Sequence, residues 1–422
     1  MPLLVGLDVG TTSSKAVVLD AVGRELSHGH APTTWESAAG RTEIQAAALL
    51  DGALAAVRGA LSGAPRDEVL GLGVASISEC GVLLGRDGSV LGPVIAWHDT
   101  RDTAEVADLG HVLGADQFAL HTGLPLRSQW SLTKHRWLRA HAPAAKDAAR
   151  RLSVAEWIVR RLGGDEASEQ SLASRTGWLD IGRRDWWPEA LEWTGIRASL
   201  LPPVVAAGTA LGTVSVRTVS PGPLSADAVP AAEGAVLTVA GHDHQAAAIG
   251  AGATGAGDEL DSCGTAEALV RTIPAGLGAG PTLELTRAGI TVGWHAVPGH
   301  WCLLGATEGG LAMQRFLDQA GVDRADVPAL DTAPWRAVVT RGQREAMALH
   351  DAMTAVAGEH RKLIAVGGWL RSAAFADVKE QFFGRVWRPL VGEAGARGAA
   401  LTAGVAAGVY PDFPHLPAPE YE

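Results

Sequence analysis

Leu3-Leu4-Val5-Gly6-Leu7-Asp8-Val9-Gly10-Thr11-Thr12-Ser13-Ser14-Lys15-Ala16-Val17-Val18-Leu19-Asp20 reads as an apolar run, a polar turn and a second apolar run. With a third run from Glu25 onward, the pattern predicts a β-meander. The turn gathers one carboxylate, one glycine, four hydroxyls and a lysine directly after a buried strand. Phosphate chemistry needs such a set. Backbone N–H groups and hydroxyls can donate to phosphate oxygens, Lys15 supplies positive charge, and Asp8 can hold a hydrated magnesium ion. The bland alternative is a polar hairpin tip, because Asp, Gly, Ser and Thr are ordinary turn residues.

Outward from this turn, Glu43 to Leu61 reads as an Ala/Leu-rich helix and Val69 to Ser78 as a strand. A hairpin follows around Arg86-Asp87-Gly88, and mainly helical periodicity runs from Ala104 to Arg161. The stretch from Ala167 to Trp187 is polar, Trp-rich and unassigned, with an inserted subdomain as one reading. Farther on, Leu260-Asp261-Ser262-Cys263-Gly264-Thr265 before Ala268-Leu269-Val270 repeats the opening strand, Gly-Thr turn and strand. This echo suggests a duplicated fold, divided near Ala235 into residues 1–235 and 236–422. Chance recurrence of glycine turns is the competing explanation.

Asp243 stands between His242 and His244, after the apolar run Val236 to Ala240 and before the helix-forming Gln245 to Ile249. Both a helix N-cap and a general base fit that position, and the two roles are compatible. Other chemistries fall away. Gly250 to Gly255 matches GxGxxG but follows a helix and lacks a βαβ setting. There is no Gly-Lys dipeptide for a Walker A loop, and no GxSxG or HExxH.

The 422 residues suffice for two cores. A net charge of −11 disfavours nucleic acid as a partner. Cys80, Cys263 and Cys302 show neither disulfide nor zinc spacing. The apolar opening has no basic leader, and His242-Asp243-His244 interrupts the longest weakly charged stretch. The expectation is a cytoplasmic enzyme without membrane contact.

Taken together these segments resemble the FGGY family of carbohydrate kinases. DVGTTSSKAVV is similar to the family's first phosphate motif, and GLGVASISECGVLLGRDGSVLGPVIAWHDTR to its substrate loop, ending in Trp97, Asp99 and Arg101. AGHDHQAAAIGAG carries Asp243 at the position of the catalytic base. DSCGTAEAL resembles the second phosphate motif, GATEGGLAMQRFLD the following glycine turn, AVGGWLRSAAFADVKEQFFGRVWRP the adenosine motif, and EAGARGAALTAGVAAG the closing helix.

The resemblance implies a duplicated actin-like, ribonuclease H-like α/β fold with a catalytic cleft between its halves. It implies ATP-dependent phosphorylation of a sugar or polyol hydroxyl with Mg2+. Asp8 would position the metal, and Thr11, Thr12, Ser13 and Lys15 would lie at the phosphates, with Gly264 and Thr265 facing the terminal one. Gly309, Gly310 and Gln314 would line the nucleotide site, Gly367 and Gly368 would let the backbone approach the nucleotide, and Ser372 would sit near adenine. Ser78, Glu79, Asp99, Trp130, Asp243 and His244 would meet the acceptor. Each has a structural alternative: Glu79 a solvated strand-end charge, Trp130 a core aromatic, His244 a helix cap. A homodimer is the family expectation. An inactive nucleotide- or sugar-binding regulator of the same fold is the competing function.

Two departures stand out. The segment between Gly310 and Gly367 looks shortened, and Trp369 and Leu370 are bulky where small residues follow the glycine pair, so the adenine site is expected to narrow. Ile77-Ser78-Glu79-Cys80 replaces both the Gln-Met-His-Gly of xylulose kinases and the Gln-Arg-Glu-Thr of glycerol kinases. Glu79 aligns with the glycerol-kinase carboxylate, while the missing arginine argues against glycerol. A ketose, sugar acid or longer polyol is the expected class.

Overall fold

The computed structural model describes residues 2–215, 229–264 and 266–422. The chain forms two compact units. The first comprises residues 1–250, 293–298 and 393–417, and the second residues 251–292, 299–392 and 418–422.

In the first unit the expected meander forms as Leu3–Val9, Ser13–Asp20 and Glu25–Pro32. Its five-stranded sheet runs in the order Val236–His242, Val69–Ser76, Leu3–Val9, Ser13–Asp20, Glu25–Pro32. Pleating sends alternate side chains to opposite faces. Leu3, Val5, Leu7 and Val9 therefore share a core with the helix Ala46–Gly63, while Leu4, Val17 and Leu19 share another with Ala394–Ala406. The helix Ala46–Gly63 is long and apolar enough to cross a membrane by composition, but its buried face lies in the first of these cores.

Leu3–Val9 runs parallel to Val69–Ser76, which runs parallel to Val236–His242. Parallel strands finish at the same sheet edge, so Asp8 and the residue that follows His242 emerge together. This is how two carboxylates more than two hundred positions apart in the chain become neighbours.

The second unit repeats the plan. Asp258–Cys263 pairs antiparallel with Glu267–Pro274 and parallel with Lys362–Val366, and Glu267–Pro274 pairs antiparallel with His300–Thr307. This matches strand for strand the order Val69–Ser76, Leu3–Val9, Ser13–Asp20, Glu25–Pro32 in the first sheet. The Gly-Thr echo therefore marks a repeated topology. Met313, Trp335, Trp369 and Phe375 fill the core beside this sheet.

The division differs from the one expected near residue 235. The strand Val236–His242 hydrogen-bonds into the first sheet, and Ala394–Ala406 returns to cover it. Periodicity shows that a strand exists and not which sheet it joins. The unassigned stretch after Ala167 resolves into short pieces of the first unit: the helix Gln170–Ala173 and a small hairpin pairing Leu179–Asp180 with Asp185–Trp186.

Candidate active site

Asp8 is opposite Lys15 in the antiparallel register, and the intervening turn closes through Gly10 N–H to the Ser13 carbonyl at 3.0 Å. Trp35 Nε1 donates to the Thr11 carbonyl at 2.7 Å and Trp97 Nε1 to Thr11 Oγ1 at 3.2 Å, so two indoles brace the turn from outside. Burial, followed by the charge of Asp243, pushes the Asp8 carboxyl up to about 8 despite Lys15 nearby. Asp8 Oδ1 is buried with no hydrogen-bond partner among the described residues. Gly395 lies so close that a β-carbon there would fall 2.2 Å from Asp8 Oδ2. A buried, unpartnered carboxylate oxygen beside a second carboxylate suits a small hard cation with oxygen ligands, as magnesium is.

Asp243 begins the helix Asp243–Ala251, where its Oδ1 accepts from the His244 backbone N–H at 2.7 Å and lies 3.0 Å from His242 Nε2. Burial opposes its ionisation, but His244 and His242 outweigh that and hold it down at about 2. Burial in turn depresses His244, against the pull of Asp243. Asp243 is thus ionised and its histidine neighbour neutral near pH 7. Lys15 Nζ contacts Glu393 Oε2 at 2.7 Å; burial works against the ammonium, but Glu393, Asp8 and Asp243 together hold it above the ordinary lysine range.

On the acceptor side, Glu79 adopts φ of 63°, a left-handed conformation that is strained for a residue with a side chain. Its neighbours hold it there. Ser131 Oγ donates to the Glu79 carbonyl at 2.6 Å, and Arg151 donates to the carbonyls of Glu79 and Cys80, both at 3.2 Å. The carboxylate accepts from Ser78 Oγ at 2.6 Å, Arg175 Nε at 2.8 Å and Gln129 Nε2 at 3.1 Å. Glu79 is therefore no solvated strand end. It also borders a small cleft lined by Ser131, Lys134, His135 and Arg151, which does not include Asp243.

Several expected roles change. Trp130 is fully buried in a core with Phe118, Leu132 and Trp178, and its indole N–H is spent on the Pro125 carbonyl at 2.7 Å. It is a core aromatic, and the neighbouring Gln129 is the side chain that reaches Glu79. Asp99 accepts from the Arg101 side chain, the Arg101 N–H and the Thr42 N–H, so this 3% exposed carboxylate ties loops together.

In the second unit Gly264 follows its strand as in the first, while Thr265 lies outside the described residues. Gly309 and Gly310 begin the helix Gly309–Ala320, and Gln314 on that helix bonds Asp318 and Arg324. Gly367 has φ of 119°, and a β-carbon there would meet the Cys263 backbone at 2.3 Å. The neighbouring strand therefore already requires glycine there. Gly368 opens the short helical turn Gly368–Arg371. Ser372 is fully buried and caps Ala373–Phe383 by accepting from Phe375 N–H at 3.3 Å. Trp369 is also core: it donates to the Gly264 carbonyl at 2.9 Å and carries Arg324 on its ring. Its bulk props the glycine turn from beneath.

Sequence reading missed Arg175, Gln129, Arg151 and Glu393, and a polar brace behind Asp243. In that brace Ser171 Oγ accepts from the His242 N–H at 3.0 Å and donates to buried Glu169. The Ser-Arg-Thr-Gly run at 174–177 was the available signal, since a lone arginine amid small polar residues seldom serves a solvated helix face.

Comparison with known proteins agrees with this architecture. Residues 3–250 match the model of the FGGY family of carbohydrate kinases, N-terminal domain. A xylulose kinase of Streptomyces rubiginosus is 30% identical over 335 residues, covering 77% of this chain and 64% of that protein. The matched stretch thus spans somewhat under two thirds of the relative's length. Among solved structures, a ligand-bound xylulose kinase from Lactobacillus acidophilus superposes with a TM-score of 0.86 at 17% identity, covering 100% of this chain and 93% of that one. Plasmodium falciparum glycerol kinase with ADP gives 0.85 at 16% identity, covering 100% and 93%. The fold is the two-domain actin-like one, and the chain belongs to the FGGY family of carbohydrate kinases.

Proposed function

We propose that the protein is an ATP-dependent kinase that phosphorylates a hydroxyl of a ketose, sugar acid or polyol, with Asp243 as general base. The observation that carries this reading is the meeting of Asp8 and Asp243 at one sheet edge, close enough for the charge of Asp243 to act on the Asp8 carboxyl. The unpartnered oxygen of Asp8 suits a cation, and ionised Asp243 at the start of its helix is placed to accept a proton.

Asp8 would hold magnesium, which when bound supplies neutralisation of phosphate charge during transfer. The Gly10 to Ser13 turn presents N–H and hydroxyl donors, and Lys15 exchanges Glu393 for a phosphate oxygen. In the second unit, the helix start at Gly309-Gly310 is the segment favoured for the nucleotide, since the N-terminal end of a helix suits phosphate. Asp243 accepts the proton of the acceptor hydroxyl. Its depressed proton affinity keeps it ionised throughout the neutral range, with orientation supplied by His242 and the His244 N–H. Neutral His244 is free to accept or donate a hydrogen bond to the acceptor.

Asp243→Asn is expected to lower kcat by about 10²- to 10⁴-fold, the usual worth of a general base, while calorimetric titration with MgADP stays within about twofold. Acceptor-dependent ADP release that survives this substitution would overturn the assignment.

A further inference from the structure

The acceptor end of the first unit's site has a charge that the proposed reaction does not use. Glu79 Oε1 accepts from Arg175 and Gln129, and Oε2 accepts from Ser78. A carboxylate with this many protein donors has little capacity left for the hydroxyl protons of a neutral sugar. Beyond it lies Arg127. Its Nε donates to Gln129 Oε1 at 2.8 Å, so the same amide links it to Glu79. Among the described residues Arg127 has no acidic partner, and the side chain keeps solvent access. Arg127 and Arg175 both lie against the buried Trp130 ring, at 5.2 and 5.1 Å from its centroid.

Three guanidiniums, those of Arg127, Arg175 and Arg151, surround the Glu79 residue, on a protein whose net charge is −11. Desolvation and the neighbouring Arg175, only partly offset by Glu79, draw Arg127 down to about 10, so it is cationic near pH 7 without an ion-paired carboxylate of its own. The terminal nitrogens of a guanidinium form a planar fork matched to carboxylate geometry. A polyol offers that fork only weak acceptors.

Resting on the kinase reading above, we propose that the acceptor is a sugar acid, with Arg127 gripping its carboxylate while a distant hydroxyl is presented to Asp243. Arg127 is then the residue that sets specificity, and Gln129 holds its fork at a fixed distance from Glu79. Placing the carboxylate at Arg127 keeps the acceptor's negative charge away from the acidic pair Asp8 and Asp243.

The test uses the whole protein with MgATP and matched acceptor pairs: D-xylonate against xylitol and D-gluconate against D-glucitol. The aldonate of each pair is expected to be preferred in kcat/KM. Arg127→Gln should reduce the aldonate-to-alditol ratio by about 10- to 100-fold, the range for losing a charge-assisted hydrogen bond, and Arg127→Lys should restore part of it. Alditols or ketoses turned over as well as aldonates, with a ratio that Arg127→Gln leaves unmoved, overturn the proposal while the kinase reading stands. No ADP release with any acceptor sinks the kinase reading instead. Calorimetric titration of wild type and Arg127→Gln with D-gluconate then decides the anion site: binding lost in the variant supports it, and no binding to wild type overturns it.

Discussion

Lys15 Nζ sits 2.7 Å from Glu393 Oε2, so the cation expected at the phosphates has a protein carboxylate as its partner. Both side chains are about one third exposed, and such a pair is worth little, on the order of 1 kcal/mol or less. It is a contact that a phosphate can displace. Glu393→Gln removes the competitor and is expected to tighten MgATP binding by about two- to fivefold, read by calorimetric titration. Weaker binding in the variant would remove Lys15 from the phosphate site.

Arg151 holds the strained Glu79 backbone through two carbonyls. Arg151→Met keeps much of the volume but strands those carbonyls, at a cost of about 1–3 kcal/mol. Urea unfolding should show that loss. Acceptor KM should rise while MgADP affinity is preserved, because the loop that relaxes carries Glu79 and not the phosphate turn. A variant with unaltered acceptor KM would separate the Glu79 conformation from substrate binding.

Glu169 is fully buried behind Asp243, and burial pushes its carboxyl from 4.5 up to about 7. A carboxyl raised in the folded state binds a proton that the unfolded chain releases, so stability falls as pH rises from 4.5 toward 7 and is level above it. Glu169→Gln should flatten this window, removing a contribution on the order of 3 kcal/mol or less. Chemical denaturation at pH 5 and pH 7.5 measures the difference. Parallel profiles for wild type and variant would mean that Glu169 is charged in the fold throughout.

Lys379 in the second unit is 1% exposed and bonds both Gln343 Oε1 and Glu267 Oε1 at 2.8 Å, with Asp261 also in contact. Its ammonium fills the space between Asp261, Cys263 and Glu267 that would otherwise suit a metal. Lys379→Met leaves those carboxylates uncompensated and is expected to cost about 3–5 kcal/mol. Adding Glu267→Gln should recover part of it. A double variant no more stable than Lys379→Met would show that the charge of Glu267 is not the source of the loss.

Sequence alone was enough for the meander, the phosphate-type turn, the Gly-Thr echo and the acidic residue after an apolar strand, because each is written in consecutive residues and short-range geometry. Order along the chain then sufficed for the family. What neighbours what was decided by tertiary structure. Parallel strand pairing brings Asp8 to Asp243, and a returning helix delivers Glu393 to Lys15. A short polar stretch with no periodicity of its own carries Arg175 to Glu79 and Ser171 to His242. The same limit applies at Trp130, Asp99 and Ser372, whose burial and protein hydrogen bonds no motif could have shown. A motif shows that a residue type is needed at a position, while burial and hydrogen-bond saturation, which depend on distant segments, decide whether the side chain is left free to meet a ligand.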